Sequence, residues 1–348
     1  MSPRWRSKGL ETPTVSQLRQ KIFEIGYGHF ASAALLGALR LGLLEALSEK
    51  PQSAQSLARK LRANARATEL LLDALTGLGL IRKKGEQFAH HRGASRLFRK
   101  GDPLTVLDFL RFHEPAAQGM FAVDEAVRKG KPVLPPEMLY NDSKMLEGFI
   151  RSMDNTATGH AEILAQRLPL ASARSLIDIG AGSGAFSAHF LKRNPRLRAT
   201  LFDLPETLPF TRKLVGRFGL NGRIHFQAGD ILEDSIRGSY DAAFLSHMIH
   251  GFSVEQNQTI FRKVFGCLNP GGCIVIQDFI LDRDRTSPSF GSLFALLMLI
   301  ATEQGRTYSF EETSRMLKEA GFIKPRQRKL GLPRGISIVQ ARKPSHAV

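Results

Sequence analysis

An α/β fold with a mainly parallel sheet, preceded by a mainly α-helical domain of winged-helix type, is what this chain predicts. Two observations carry it: apolar strand runs alternate with helical stretches from Ser175 onward, and helical periodicity dominates everything up to about residue 168. The expected domains are therefore 1–168 and 169–348.

In the first half, "ASAALLGALRLGLLEALSEK" and "ARATELLLDALTGLGLIRK" place apolar residues at i, i+3, i+4 and i+7, the mark of a helix with one buried face. Between them "SAQSLARKL" opens on Ser53, whose hydroxyl suits an N-cap. "LIRKKGEQFAHH" then reads as two short strands around Gly85, completing a helix, short helix, helix and hairpin order. A further helical stretch, "MLEGFIRSMDNTATGHAEILAQRL", leads through Pro169 into the second half.

There, "SLIDIG", "RATLFDL", "RIHFQAGD", "YDAAFLSH" and "GCIVIQDFIL" are nearly continuous apolar runs. Such runs, separated by helices, indicate strands buried on both faces of a parallel sheet. Ligands in open sheets of this kind sit at the carboxyl ends of the strands, so the candidate residues are sought there.

Composition limits the rest. A chain of 348 residues with 43% hydrophobic content can bury a large core. Cys267 and Cys273 are too few for a disulfide framework and have no histidine partner at zinc spacing, so a reducing, cytoplasmic setting and no metal are expected. No apolar stretch is read as a spanning helix or a secretory signal, so no membrane insertion is expected. The net charge of +17 is concentrated early: residues 1–100 hold 18 Lys and Arg against 7 Asp and Glu. That asymmetry keeps nucleic acid among the conceivable partners, although a basic surface by itself bears on solubility.

The first strand ends in "LIDIGAGSGAFS". A phosphate-binding P-loop would need Gly-Lys-Ser/Thr where Ala185-Phe186-Ser187 follows Gly184. A dinucleotide fingerprint needs two residues between its second and third glycines, and the spacing here is Gly180-x-Gly182-x-Gly184. Asp178 would repel a pyrophosphate but accept from an ammonium. Asp203 ends the second strand, where a carboxylate can take both hydroxyls of a ribose, and Asp230 in "AGDIL" ends the third. Three acids with no base among them describe a nucleoside carrying an amino acid, which is the chemistry of S-adenosylmethionine.

These blocks, with "TLFDLPETL", "LSHMIHGFSVEQ", "LNPGGCIVIQDFIL" and "EQGRTYSFEE", resemble in order and spacing the caffeic acid/acetylserotonin-type small-molecule O-methyltransferases, over almost the whole chain. The resemblance implies a Rossmann-like class I methyltransferase domain, an N-terminal dimerisation domain and hence a homodimer, and a small-molecule acceptor. It implies S-adenosylmethionine held by Asp178, Gly180, Asp203, Leu204, Asp230 and Ile231, with Ser246 where plant members usually have a lysine; Gly182 and Gly229 complete that set. His250 in "MIHGF" matches the family's general base and Asp278, 28 residues on, the carboxylate that orients it. Proton transfer from a phenol near pKa 10 to an imidazole near 6.5 would cost about 5 kcal/mol if complete, so the base needs that help. Met153 matches an acceptor-pocket methionine, and His247 is read as packing or pocket lining.

Two departures are visible. The family's "HDW" is "HGF" here, and its second carboxylate aligns with Gly305, two residues after Glu303, which is the candidate replacement. The alternatives to hydroxyl transfer are C- or S-methylation of a small metabolite, methylation of nucleic acid, or a regulator that binds DNA through Arg59, Lys60, Arg62 and Arg66. The pairing of His250 with Asp278 argues against the regulator.

Overall fold

The computed structural model describes residues 13–135, 142–168, 170, 172–220 and 222–345, so the basic segment 1–12 and Pro169 lie outside the described residues. The chain forms two compact units, Met1–Asp102 and Pro103–Val348.

In the first unit the helices Val15–Tyr27, His29–Arg40, Leu43–Ala46, Ala54–Leu61 and Ala65–Gly77 precede a hairpin of β2 (Arg82–Lys84) and β3 (Gln87–Ala89). β1 (Gln52–Ser53) adds antiparallel to β3, giving the order β1-β3-β2. Ser53 caps its helix as expected, its Oγ accepting from Ser56 N at 3.2 Å. Leu43, Leu44, Leu57, Leu72, Leu75 and Phe88 are all within 1% of full burial and form the core of this winged-helix arrangement. The two leading helices bury little: Val15, Leu18, Ile22, Phe23, Ile25 and Phe30 are exposed. Together Val15–Arg40 spans 26 residues and contains an 18-residue stretch with a mean hydropathy of 1.3, long and apolar enough to cross a membrane by those two measures.

The second unit is built on a seven-stranded sheet of β4 (Ser175–Ile179), β5 (Arg198–Asp203), β6 (Ile224–Ala228), β7 (Tyr240–Ser246), β8 (Leu268–Phe279), β9 (Ile323–Lys329) and β10 (Ile336–Arg342), in the order β6-β5-β4-β7-β8-β10-β9. β4 to β8 pair in parallel, and alternate residues feed two cores. Ile177, Ala243, Leu245, Ile274 and Ile276 point to one, and Leu176, Ala242, Phe244 and Val275 to the other. This two-sided burial is why those strands read as unbroken apolar runs.

The final two strands were not among the expected ones. β10 runs antiparallel between β8 and β9, with Ile338 opposite Gln277 and Arg328. β9, "IKPRQRK", is a charged edge strand carrying a proline, a composition that blunts an edge and hides its strand signal. "LNPGG" is not a separate turn before β8: Tyr240 pairs with Leu268 and Ala242 with Cys273, so the extra residues are accommodated as an irregularity within the strand.

Packing also divides the chain after residue 102, earlier than the expected boundary at 168. The helices Leu107–Gly119 and Ser143–Ala157 pack on each other, and Ser143–Ala157 and His160–Arg167 lie against Ala185–Arg193. The physical tie is specific: Asp154, 5% exposed, accepts both terminal nitrogens of Arg217 at 2.7 Å each.

Candidate functional site

The chain runs from β4 outward to β5 and β6, then returns to the other side of β4 for β7 and β8. That reversal opens a crevice at the carboxyl ends of β4 and β7. The glycine loop lies there, folded back so that Gly180 N donates to Phe202 O at 2.9 Å.

Its glycines serve different ends. All three have positive φ, at 65°, 53° and 70° for Gly180, Gly182 and Gly184. A Cβ at Gly184 would overlap Val215 and lie 3.0 Å from Leu201, so this residue permits the helix Ala185–Arg193 to pack. A Cβ at Gly182 would meet nothing within 4 Å, so this part of the loop faces open space.

Asp203 at the end of β5 holds the loop: Oδ2 accepts from Gly182 N at 2.7 Å and Oδ1 from Leu204 N at 2.8 Å. The Thr207 side chain bonds the same carboxylate, which leaves it room to accept one further hydroxyl. Asp230 is half-buried, its Oδ1 accepting from Leu232 N at 2.8 Å. Beside it Gly229 is obligatory, since a Cβ would lie 2.9 Å from the Phe202 ring. Ile231 is 6% exposed and belongs to the core, while its carbonyl, with those of Leu232 and Asp234, accepts from Lys263 Nζ at 2.6–2.9 Å. Lys263 was not singled out by sequence; it lies in a helix whose motif carries no charge signature of its own.

Asp178 is 2% exposed beneath the loop, and its Oδ2 accepts from Ser187 Oγ at 2.6 Å. Burial, opposed by that hydrogen bond and assisted by the neighbouring Asp203 charge, pushes its carboxyl up to about 7. The folded state therefore holds one more proton than the unfolded chain between about pH 4 and 7, and stability falls as pH rises through that window. Asp178→Asn keeps the Ser187 bond and removes the buried charge. It is expected to stabilise the ligand-free protein at pH 8 by on the order of 2 kcal/mol, with no gain at pH 4, while weakening S-adenosylmethionine binding more than about tenfold. Thermal melts at both pH values and calorimetric titration check it; a destabilised pH 8 variant would show that the charge is compensated.

At the ends of β7 and β8 the second cluster forms. Ser246 is half-buried in register with Gln277. His247 follows with φ at 51°, uncommon for a side chain of this size, its N–H donating to Gln277 O at 2.8 Å. Burial foremost pulls the His247 imidazole down to about 4, so it is neutral. His250, in the short turn Ile249–Gly251, places Nδ1 2.7 Å from Asp278 Oδ1. The Asp278 side chain is 2% exposed; burial alone would raise its carboxyl, but the charge and hydrogen bond of His250, with His247 and Phe279 N, hold it below the usual range. Nδ1 of His247 is 3.9 Å from the same oxygen, and the three donor groups lie within 4.8 Å of one another.

Aromatic rings wall this cluster. Phe294 meets His250 edge-on at 4.9 Å, and Phe279 lies 4.9 Å from His247 and 4.6 Å from Phe294. Phe290 and Phe294 are four apart on the helix Ser289–Ala301, a spacing that in sequence is indistinguishable from an ordinary core face.

The remaining candidates separate. A Cβ at Gly305 would overlap Thr302 Oγ1 and lie 2.6 Å from His250 O, so no carboxylate can be carried there. Glu303 is exposed and is not hydrogen-bonded to His250, so the structure does not bring it into the expected role. Met153 is half-buried on Ser143–Ala157, directly before the Asp154 tie to Arg217. Of the basic cluster, Lys60 Nζ donates to Ala46 O at 3.1 Å, and Arg59, Arg62 and Arg66 are exposed. A surface cavity of about 800 Å³ beside Phe310, Glu311, Arg315 and Lys318 contains none of the candidate residues.

The chain matches two family models, an O-methyltransferase dimerisation domain over residues 23–101 and an O-methyltransferase domain over 129–323. It is 30% identical over 329 residues to the tetracenomycin polyketide synthesis 8-O-methyl transferase TcmO of Streptomyces glaucescens, covering 93% of this chain and 96% of that one. It is 27% identical to a 3-hydroxy-5-methyl-1-naphthoate 3-O-methyltransferase of Streptomyces sahachiroi, covering 95% and 97%. Its fold is that of human N-acetylserotonin methyltransferase in complex with SAM, at a TM-score of 0.84 and 22% identity over 97% of this chain and all of the other.

Proposed function

The chain belongs to the S-adenosylmethionine-dependent small-molecule O-methyltransferases, and on that premise we propose that it methylates a phenolic or enolic hydroxyl with His250 as general base and Asp278 as the residue that orients it. The observation that carries this reading is the 2.7 Å contact between His250 Nδ1 and Asp278 Oδ1. A carboxylate only accepts, so it selects the tautomer with hydrogen on Nδ1 and leaves the Nε2 lone pair for the acceptor's proton.

The crevice suits the methyl donor: Asp203 retains an accepting lone pair, Gly182 leaves the loop open, and Asp178 and Asp230 supply further acceptors and no fixed cation. When bound, S-adenosylmethionine supplies an electrophilic methyl group on sulfur. Asp203 is the residue for its ribose, Asp230 for its adenine edge, Asp178 for the field of its ammonium, with Leu204, Gly229, Ile231 and Ser246 framing it. His250 holds the acceptor hydroxyl and takes its proton as the oxygen becomes nucleophilic. The phenylalanine wall excludes water and seats a flat ring, and such orientation contributes about 7–11 kcal/mol to reactions of this type. His247, neutral and packed on Phe279, lines the acceptor side. Met153 joins it from the helix Ser143–Ala157.

The exposed apolar face of Val15–Tyr27 and His29–Arg40 is the surface for a second copy, since the dimerisation-domain match covers residues 23–101. The enzyme is then a soluble cytoplasmic homodimer with no use for a metal, a membrane or nucleic acid. Light scattering is expected to give twice the 38.5 kDa chain mass, and a monomer would exclude the dimer.

Incubation with S-adenosylmethionine and a panel of naphthols should yield methyl ethers at a rate a chelator leaves unchanged. Cofactor binding accompanied only by carbon or sulfur methylation would overturn the hydroxyl assignment, and loss of rate with chelator would make His247, His250 and Asp278 metal ligands.

A further inference from the structure

We propose that Arg334 recognises an anionic group of the acceptor, and that the acceptor is therefore a flat aromatic molecule bearing a carboxylate as well as the hydroxyl that is methylated. This rests on the reading of His250 as the site of hydroxyl methylation.

Arg334 occupies the turn Pro333–Gly335 between β9 and β10 with φ at 60°, a conformation non-glycine residues adopt rarely. Its guanidinium stands over two rings, 5.8 Å from the centre of Phe109 on the helix Leu107–Gly119 and 5.4 Å from that of Phe290. Phe290 continues directly into the aromatic wall of the site: it lies 5.1 Å from Phe279 and 6.1 Å from Phe294, and these rings touch His247 and His250 respectively. One apolar surface thus runs from the base at one end to a guanidinium at the other.

The charge at that far end is unanswered. Among the described residues Arg334 makes no hydrogen bond and no ion pair. Three imidazoles feel it: after burial, its positive charge is a cause holding His113, His160 and His247 below the ordinary histidine range. The one nearby carboxylate of the site, Asp278, is committed to His250. A guanidinium with no ion-pair partner among the described residues, standing at the end of an aromatic wall, complements an anion attached to a ring. Arginine also supplies the planar fork that matches a carboxylate with two parallel hydrogen bonds, which lysine cannot.

The test compares 6-hydroxy-2-naphthoate with its neutral isostere 6-hydroxy-2-naphthamide, using the full-length wild type, Arg334→Gln and Arg334→Lys. Arg334 is exposed, so the variants are expected to fold, and an unchanged affinity for S-adenosylmethionine checks it. The wild type is expected to prefer the naphthoate about tenfold or more in kcat/KM. Arg334→Gln should lose about 30-fold on the naphthoate, through KM, and less than about threefold on the naphthamide, with Arg334→Lys between; the size follows from charge-assisted hydrogen bonds. Calorimetric binding of the naphthoate to the enzyme saturated with S-adenosylhomocysteine should weaken in parallel.

Equal losses on both compounds would assign Arg334 a structural role and overturn the proposal. So would a wild type that binds the naphthoate no better than the naphthamide, even if it methylates both, which leaves the hydroxyl reading standing. Arginine-dependent naphthoate binding without methylation of either compound would do the reverse, keeping the anion site and removing the hydroxyl reading.

Discussion

His250→Ala is expected to lower kcat for a phenolic acceptor at neutral pH by about 10²- to 10⁴-fold, the range general bases supply, while S-adenosylmethionine binds as before. The imidazole meets Asp278, His247, Phe279 and Phe294, none of them assigned to the cofactor, so affinity and turnover should separate. The pH dependence is the sharper readout. Without a base, reaction depends on the fraction of phenolate already in solution, so the variant's rate should climb about tenfold per pH unit until the acceptor's own pKa near 10. The wild type should climb less over the same interval. Because alanine leaves Asp278 buried without a partner, His250→Gln is the companion variant: it can still donate to Asp278 but cannot take the proton. Wild-type kcat in His250→Gln at neutral pH would remove His250 from the base role and leave positioning alone as the source of rate.

Asp278→Asn is expected to be the next most damaging, lowering kcat by about 10² or more, with a loss of thermal stability at neutral pH that shrinks towards acid. Asp278 is 1% exposed, and one of its oxygens, Oδ2, has no hydrogen-bond partner among the described residues. Its charge is therefore costly to bury and is retained against burial by His250. An amide fits the same space but gives up the ion pair with His250 that outweighs that cost. Oδ1 also accepts from Phe279 N at 2.8 Å, so the amide keeps its oxygen there and Nδ1 keeps its hydrogen; what is lost is the negative charge that stabilises the imidazolium formed as the proton is taken. Kinetics together with the nitrogen chemical shifts of His250 check it. A variant within threefold of the wild type would show that the 2.7 Å contact is structural only.

Much of this site was legible in the sequence because strand ends carry it. Asp178, Asp203 and Asp230 each close an apolar run, and a parallel sheet brings the ends of neighbouring strands to one edge whatever the loops do. His250 and Asp278 came from the family resemblance, and the structure places them just beyond and at the ends of β7 and β8, which are hydrogen-bonded neighbours. The winged-helix order was equally local: a cap at Ser53, helical periodicity and a glycine between two short strands. What escaped notice had no local signature. β9 reads as a charged loop because one edge faces water, and Lys263 and Ser187 are ordinary helix residues until the carbonyls and the carboxylate they serve are known.

By itself, then, the sequence determined the helical first part, the mainly parallel sheet, and the placing of Asp178, Asp203, Asp230, His250 and Asp278 at or just after strand ends. Those features repeat with the period of a strand or a helix, and a window of ten or so residues contains the whole pattern. Only the tertiary structure decided that helices 103–168 belong with the sheet, because that depends on a partner 63 residues away, Arg217 for Asp154. Only it excluded a carboxylate at position 305, by putting His250 O where the Cβ would go, and only it aligned Phe109, Phe290, Phe279 and Phe294 between Arg334 and His250. Such contacts are set by which strands and helices become neighbours, and no local periodicity encodes the distance between residues that meet only after the chain has folded.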